Sequence, residues 1–341
     1  MNLLIVGPAW VGDMVMAQIL FKLLKKHTPE AVIDVLAPPW TKPLLERMPE
    51  IHRAIESPFT HKQIRLWQRY QLGKQLRAYQ YGRAIVLPNS LKSALVPFWA
   101  KIPIRTGWVG EQRYGLLNDI RKLSQEALPL MAQRFMALGL EKNAPLPSHP
   151  DMPNLQVSTD RVRLTLHHLR LDTNPAPILA LCPGAEFGPS KRWPAEHYAT
   201  VANHQIAAGW QVWLFGSAKD KDVAHQINTL THDRCVNLAG STQLTEAIDL
   251  LSLATLVVTN DSGLMHIAAA LNRPMVVIYG STSPKFTPPL SERVKILSHP
   301  IACSPCFQRE CPLKHMKCMQ DLPPSLAIAA MDALNVDYNF L

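Results

Sequence analysis

The sequence predicts an α/β protein built from two Rossmann-like halves. Three observations carry this expectation. Short apolar runs alternate with stretches of helical periodicity, the alternation stops once at a proline-dense stretch and then restarts, and the apolar runs end in glycine turns.

The elements follow in order. Leu3–Val6 is an apolar run closed by Gly7-Pro8 and reads as a buried parallel strand. From Asp13 to His27, Met14, Ala17, Leu20 and Leu24 share one helical face. Val32–Leu36 and Arg83–Leu87 read as further strands, the latter ended by Pro88-Asn89, and the basic stretch from His61 to Arg83 reads as helix. Between Asn143 and Pro153 lie four prolines in eleven residues, which mark a linker. After it come a helix over Asp160–Leu171, a strand over Ile178–Cys182 with its Pro183-Gly184 turn, and a helix over Pro194–Gly209. Gln211–Phe215, Leu256–Thr259 and Met275–Tyr279 are strands, and the last helix covers Pro324–Leu334. In open α/β sheets ligands bind beyond the C-terminal strand ends, which here carry Gly7, Gly184, Gly216 and Gly263.

Bulk properties narrow the class. The chain has 341 residues, more than one ordinary α/β core needs, and 47% are hydrophobic against 18% charged, which excludes a disordered chain. A net charge of +9 favours polyanionic partners such as anionic lipid or phosphorylated sugar. The apolar run at the start is short and lacks a basic flank, and no stretch of about 18 apolar residues occurs. The expectation is a cytosolic protein with no spanning helix and with its six cysteines reduced.

The motifs admit bland and functional readings side by side. The Gly7–Gly12 corner lacks the Lys-Ser/Thr of a phosphate loop, and the dinucleotide pattern G-x-G-x-x-G is absent. What remains is Asp13 at a helix start, either as an N-terminal cap or as a general base. Pro183-Gly184-Ala185-Glu186 followed by Lys191-Arg192-Trp193-Pro194 suits an anionic ligand, as does Asn260 through His266, where Ser262 and Gly263 open a helix. Asp220-Lys221-Asp222 matches a D-x-D cation motif, but three letters are a weak signal, and dipole complementation at a helix start explains the run better. Cys303, Cys306, Cys311 and Cys318 could close a structural zinc site, although their spacing is not that of a zinc ribbon. Basic residues from His61 to Arg113 are interleaved with aromatics, yet no nucleic-acid recognition motif is present, and no nucleic-acid partner is expected.

Five ordered stretches carry a resemblance: LLIVGPAWVGDM at the start, LPNSLKSALVP, RTGWVGEQRYGLLND, CPGAEFGPSKRWP and TNDSGLMHIAAALNRP. Together, and with the tail CSPCF, they resemble the heptosyltransferases of bacterial lipopolysaccharide, glycosyltransferase family 9, over almost the whole chain. The resemblance implies the GT-B fold, with two Rossmann-like domains facing a cleft. Residues 1–155 would form the acceptor-binding domain, residues 156–322 the ADP-heptose-binding domain, and residues 323–341 a helix packing back toward the N-terminal domain. It implies inverting transfer, without metal or other cofactor, of L-glycero-D-manno-heptose from ADP-heptose onto Kdo2-lipid A that already bears one heptose.

The family's catalytic aspartate falls on Asp13 and its donor lysine on Lys191. Its D-T-G-L-S-H segment falls on Asp261 through His266, with Ser262 replacing Thr and Met265 replacing Ser. The implied donor set is Gly184, Ala185, Glu186, Gly216, Ser217, Asp261, Ser262, Gly263, Leu264 and His266. Lys92, Arg105 and Arg113 are the acceptor candidates, for Kdo carboxylates or lipid A phosphates. The basic N-terminal half is expected to touch the cytoplasmic face of the inner membrane peripherally. Two alternatives stand beside this reading: a member of the family acting on a different heptose acceptor, and a non-catalytic nucleotide- or lipid-binding protein of the same fold.

Overall fold

The computed structural model describes residues 1–59, 63–171 and 175–336, with side chains within the last helix described to Leu334. Contacts divide the chain into two units, Met1–Pro153 with Lys285–Thr287, and Asn154–Pro284 with Pro288–Leu341. The change of unit at Pro153 falls at the end of the proline-dense stretch.

In the first unit the described elements are β1 (Asn2–Val6), α1 (Val11–His27), β2 (Val32–Ala37), α2 (Lys42–Leu45), β3 (Arg53–Glu56), α3 (Leu66–Leu76), β4 (Arg83–Val86), α4 (Leu95–Trp99), β5 (Ile104–Trp108), β6 (Asp119–Arg121) and α5 (Met131–Gly139). The strands form one parallel sheet in the order β3-β2-β1-β4-β5-β6. Alternation along each strand supplies two buried faces. Leu4 and Val6 join Leu36, Ala84, Val86 and Val96 in one cluster, while Leu3, Ile5, Ile33, Val35 and Ile85 are buried on the other face. α1 packs against α5. Asp34 is buried on β2, where it accepts a 2.6 Å bond from the Tyr81 hydroxyl and lies 3.0 Å from His52 Nδ1.

The second unit contains α6 (Thr159–His168), β7 (Ile178–Cys182), α7 (Ala195–Ala207), β8 (Gln211–Leu214), α8 (Lys221–Leu230), β9 (Val236–Asn237), α9 (Leu244–Leu251), β10 (Leu256–Asn260), α10 (Gly263–Ala270), β11 (Met275–Tyr279), β12 (Val294–Ser298), α11 (Lys317–Gln320) and α12 (Pro324–Val336). Its parallel sheet runs β12-β11-β10-β7-β8-β9. Counted from β7, this is the strand order of the first unit, and in both the order reverses beside the first strand. The reversal lies between β1 and β4 in one unit and between β7 and β10 in the other, the places where such sheets bind ligands.

One expectation changes. The predicted helix from His61 to Arg83 is shorter: α3 is followed by a 3₁₀ turn at Arg77–Tyr79, Gln80 takes a positive φ of 50°, and β4 starts at Arg83. Its predicted first residue, His61, lies outside the described residues. Within its own unit, the last helix packs on α7, β11 and β12 through Ala327, Met331 and Leu334. Residues 337–341 lie outside the described residues.

Candidate active site

At the reversal point of the second unit, one buried amide ties three elements together. Asn260, the last residue of β10, donates to the Pro183 carbonyl at 2.7 Å and accepts from the Tyr198 hydroxyl at 3.0 Å and the Trp193 amide at 3.2 Å. The register pairs Thr259 with Cys182, so Asp261 and the Pro183-Gly184 turn leave the sheet side by side. Lys191, on the 3₁₀ turn Pro189–Lys191, donates to Asp261 Oδ2 at 2.6 Å. Thr282 donates to the same oxygen at 2.6 Å. The Lys191 ammonium also lies 5.0 Å from the Phe187 ring centroid, within cation–π range.

Asp261 leads into α10, which opens at Gly263 after Ser262. The Ser262 side chain makes no capping bond, so it leaves the first-turn amides of α10 to other acceptors, and such donors favour an anion. His266 is buried in this helix, and burial pulls its pKa down to about 4; Lys191 adds to the lowering and Asp261 opposes it. At neutral pH it is an uncharged imidazole. Met265 is buried, and its sulfur receives the Tyr279 hydroxyl at 3.5 Å.

The glycines at the strand ends have a structural occupant. A Cβ on Gly184 would lie 2.6 Å from the Asp220 carboxylate oxygens, and one on Gly216 would lie 2.8 Å from the Asp220 Cβ. Asp220 is buried there, accepting from Ser217 N at 2.9 Å, Ser217 Oγ at 2.8 Å and Arg192 at 3.2 Å. The first carboxylate of the D-x-D spacing therefore fastens two strand-end loops. Ala185 is buried beside them, while Glu186 is exposed and ion-paired with Lys219.

In the first unit, Asp13 sits in the first turn of α1, two residues after its start. The capping position belongs to Trp10, so Asp13 is not the N-cap. Arg113 is corrected as an acceptor candidate. It is 1% exposed, and its guanidinium donates to the carbonyls of Pro88, at 2.6 Å, and Trp108, at 2.8 Å, and to Ser93 Oγ at 3.1 Å. Arg105 is largely committed too, donating to Leu116 O at 2.6 Å and Ile102 O at 2.5 Å. Lys92 is half-buried, and its carbonyl receives Arg69 at 3.2 Å.

The sequence matches the family described as Glycosyltransferase family 9 (heptosyltransferase) over residues 69–317. The chain belongs to glycosyltransferase family 9. Lipopolysaccharide heptosyltransferase 2 of Escherichia coli K12 is 51% identical over 306 residues, covering 87% of this chain and 88% of the relative. Lipooligosaccharide heptosyltransferase 2 of Haemophilus influenzae is 52% identical with the same coverage. The solved structure of E. coli ADP-heptose LPS heptosyltransferase II superposes with a TM-score of 0.90 at 45% identity, covering 99% of this chain and 100% of that one. The fold of this family 9 glycosyltransferase is thus GT-B.

Several residues of the site in this glycosyltransferase carry no motif of their own. Asn260 and Thr282 position Asp261 and its neighbours, and Phe187 underlies Lys191. Asn260 stands inside the TNDSG run and Phe187 inside CPGAEFGPSKRWP, and both could have been singled out there; Thr282 had no such signal. Cys303, Cys306, Cys311 and Cys318 are free thiols around one cavity of about 20 Å³, with Cys303 Sγ 3.9 Å from His315 Nε2. Among the described residues, no three His, Cys, Asp or Glu side chains are arranged as a metal-holding group. Among the same residues, no helix is long and apolar enough to cross a membrane.

Proposed function

We propose that the chain moves L-glycero-D-manno-heptose from ADP-heptose onto the first heptose of Kdo2-lipid A, with inversion at the anomeric carbon. Its kinship with lipopolysaccharide heptosyltransferases makes it a heptose transferase of core synthesis. The observation that carries the finer reading is the Lys191–Asp261–Thr282 set beside the α10 start, at the reversal point of the second sheet.

In this reading the acceptor hydroxyl attacks the anomeric carbon as the bond to the diphosphate breaks. Asp13 takes the hydroxyl proton as general base, and ADP leaves with the bonding electron pair. Lys191 and the amides at the start of α10, around Ser262, Gly263 and Leu264, oppose the charge that builds on the diphosphate. Gly184, Ala185, Gly216 and Ser217 shape the donor loops; Glu186, Asp261 and neutral His266 supply hydrogen bonds to sugar or ribose. No step requires a metal ion. Lys92 is the retained acceptor contact, with Arg105 in support.

The acceptor is an anionic lipid, so the reading includes peripheral contact with the inner leaflet from the cytoplasmic side. Each exposed Lys or Arg near such a surface contributes roughly 1 kcal/mol, screened over about 8 Å at physiological salt.

Mass analysis of the product from ADP-heptose and singly heptosylated Kdo2-lipid A tests the proposal. One added heptose is expected. Transfer only to Kdo2-lipid A lacking heptose assigns a different acceptor, and no transfer to either returns the chain to a binding role.

A further inference from the structure

The Lys191–Asp261 pair presents no net charge, because the ammonium already has a carboxylate at 2.6 Å. An incoming diphosphate needs a further cation nearby to be held by charge. The structure brings one from a distant stretch of sequence. Residues 304–309 run as a strap from the end of β11 to the Lys191 turn. Ser304 donates to Gly280 O at 2.7 Å and Phe307 N to Ser281 O at 2.7 Å. Ser190 then donates twice, from Oγ to Gln308 O at 2.5 Å and from its amide to Arg309 O at 3.2 Å.

The strap lies so close that Gly188 has no room for a side chain: a Cβ there would stand 3.0 Å from the Arg309 carbonyl carbon. The backbone of Arg309 is therefore fixed against the donor turn. Its guanidinium carbon lies 5.6 Å from the centroid of the same Phe187 ring that Lys191 approaches from 5.0 Å. Among the described residues Arg309 makes no ion pair, and it is exposed.

We propose that Arg309, held by the strap and by Phe187 beside Lys191, is a second phosphate-binding cation of the donor site and acts on the outer phosphate of a nucleoside diphosphate. This rests on the donor reading given above. Lys191 then serves as the buried cation and Arg309 as the exposed one, free to move onto the ligand and to make a bidentate contact.

Calorimetry with ADP, AMP and adenosine separates the two ideas, using the wild-type chain, Arg309→Ala and Arg309→Lys, with thermal melts to check folding. Arg309→Ala is expected to weaken ADP about tenfold and adenosine not at all, with AMP affected less than ADP. Arg309→Lys, which keeps the charge without the fork, is expected to fall between. Unchanged ADP affinity in Arg309→Ala overturns the inference, as does an equal loss for adenosine, which would mean that the turn itself had collapsed. A wild-type chain that binds ADP no better than adenosine removes the donor reading itself and this inference with it.

Discussion

The Lys191 ammonium and the Asp261 carboxylate lie 2.6 Å apart with 14% and 5% of their side chains exposed, a near-buried pair at the donor site. Removing either partner strands the other. Lys191→Ala leaves a buried carboxylate facing the diphosphate and is expected to weaken ADP binding and turnover together, by tenfold or more. Asp261→Asn keeps an acceptor for Thr282 and releases the lysine, so ADP affinity is expected to hold or rise while turnover falls. Calorimetry and steady-state kinetics on both variants check the contrast, and equal behaviour of the two would refute it.

Asp13 sits in the first turn of α1, and Asn in its place keeps the size and the acceptor oxygen of the side chain. Asp13→Asn is expected to cut turnover about 100-fold or more while the unfolding midpoint stays nearly the same. Normal turnover in this variant removes Asp13 from the mechanism.

Arg113 and Lys92 are expected to separate stability from acceptor recognition. Arg113→Gln leaves several buried acceptors unpaired and should cost about 3 kcal/mol or more in denaturant unfolding. Lys92→Gln should change stability by no more than about 0.5 kcal/mol and raise the acceptor KM. A stable Arg113→Gln with a raised acceptor KM would restore the role expected for it from sequence.

These two residues also show how far the sequence is legible. Ile178–Cys182 and Met275–Tyr279 are strands with the bounds their apolar runs imply, because a strand buried on both faces writes itself as a continuous apolar run. The turns at Gly184 and Gly216 were equally visible. Arg113 looked like one charge among many, because its acceptors at Pro88 and Ser93 lie 25 and 20 positions away and nothing local announces them. Asp220 read as a helix-start charge, and it does stand at the N-cap position of α8, but its carboxylate makes no capping bond there, and its wedge against Gly184 arises only when β7 and β8 pair. The edge strands β3, β6, β9 and β12 escaped because they carry too few apolar residues to stand out, and the interior strand β5 escaped because Arg105, Thr106 and Gly107 interrupt its apolar run.

His266 gives a pH signature. Its folded pKa, about 4, lies below its ordinary value of 6.5, so the unfolded chain takes up a proton that the folded chain refuses. Its contribution is therefore constant above pH 6.5, declines as pH falls toward 4, and is level below that. His266→Asn should flatten the slope of unfolding free energy between pH 6.5 and 4. An unaltered slope would mean that the imidazole takes up its proton in the folded state as readily as in the unfolded chain.

Asp220 is occupied by Ser217 and Arg192, so the D-x-D spacing is expected to play no part in divalent-ion binding. Initial rates should be the same with and without EDTA. Strict dependence on magnesium or manganese would reverse this, and elemental analysis of the purified chain reports separately on the four thiols.

The assignment of Lys285–Thr287 to the first unit bears on how the chain is made. The Met131 amide at the start of α5 donates to the Phe286 carbonyl at 3.0 Å, and the Arg134 guanidinium lies 4.8 Å from the Phe286 ring centroid. On the ribosome every strand of the first sheet is synthesised by residue 121, yet these partners emerge roughly 150 residues after α5, about 10–30 s later. The nascent N-terminal half must wait through that interval with the entry to α5 held by its own capping bond, Leu130 N donating to Gln133 Oε1 at 3.0 Å, but not yet by Phe286, and a chain cut at Pro153 would never receive Phe286. An isolated fragment of residues 1–153 should therefore exchange its α5 amide hydrogens faster than the intact protein does.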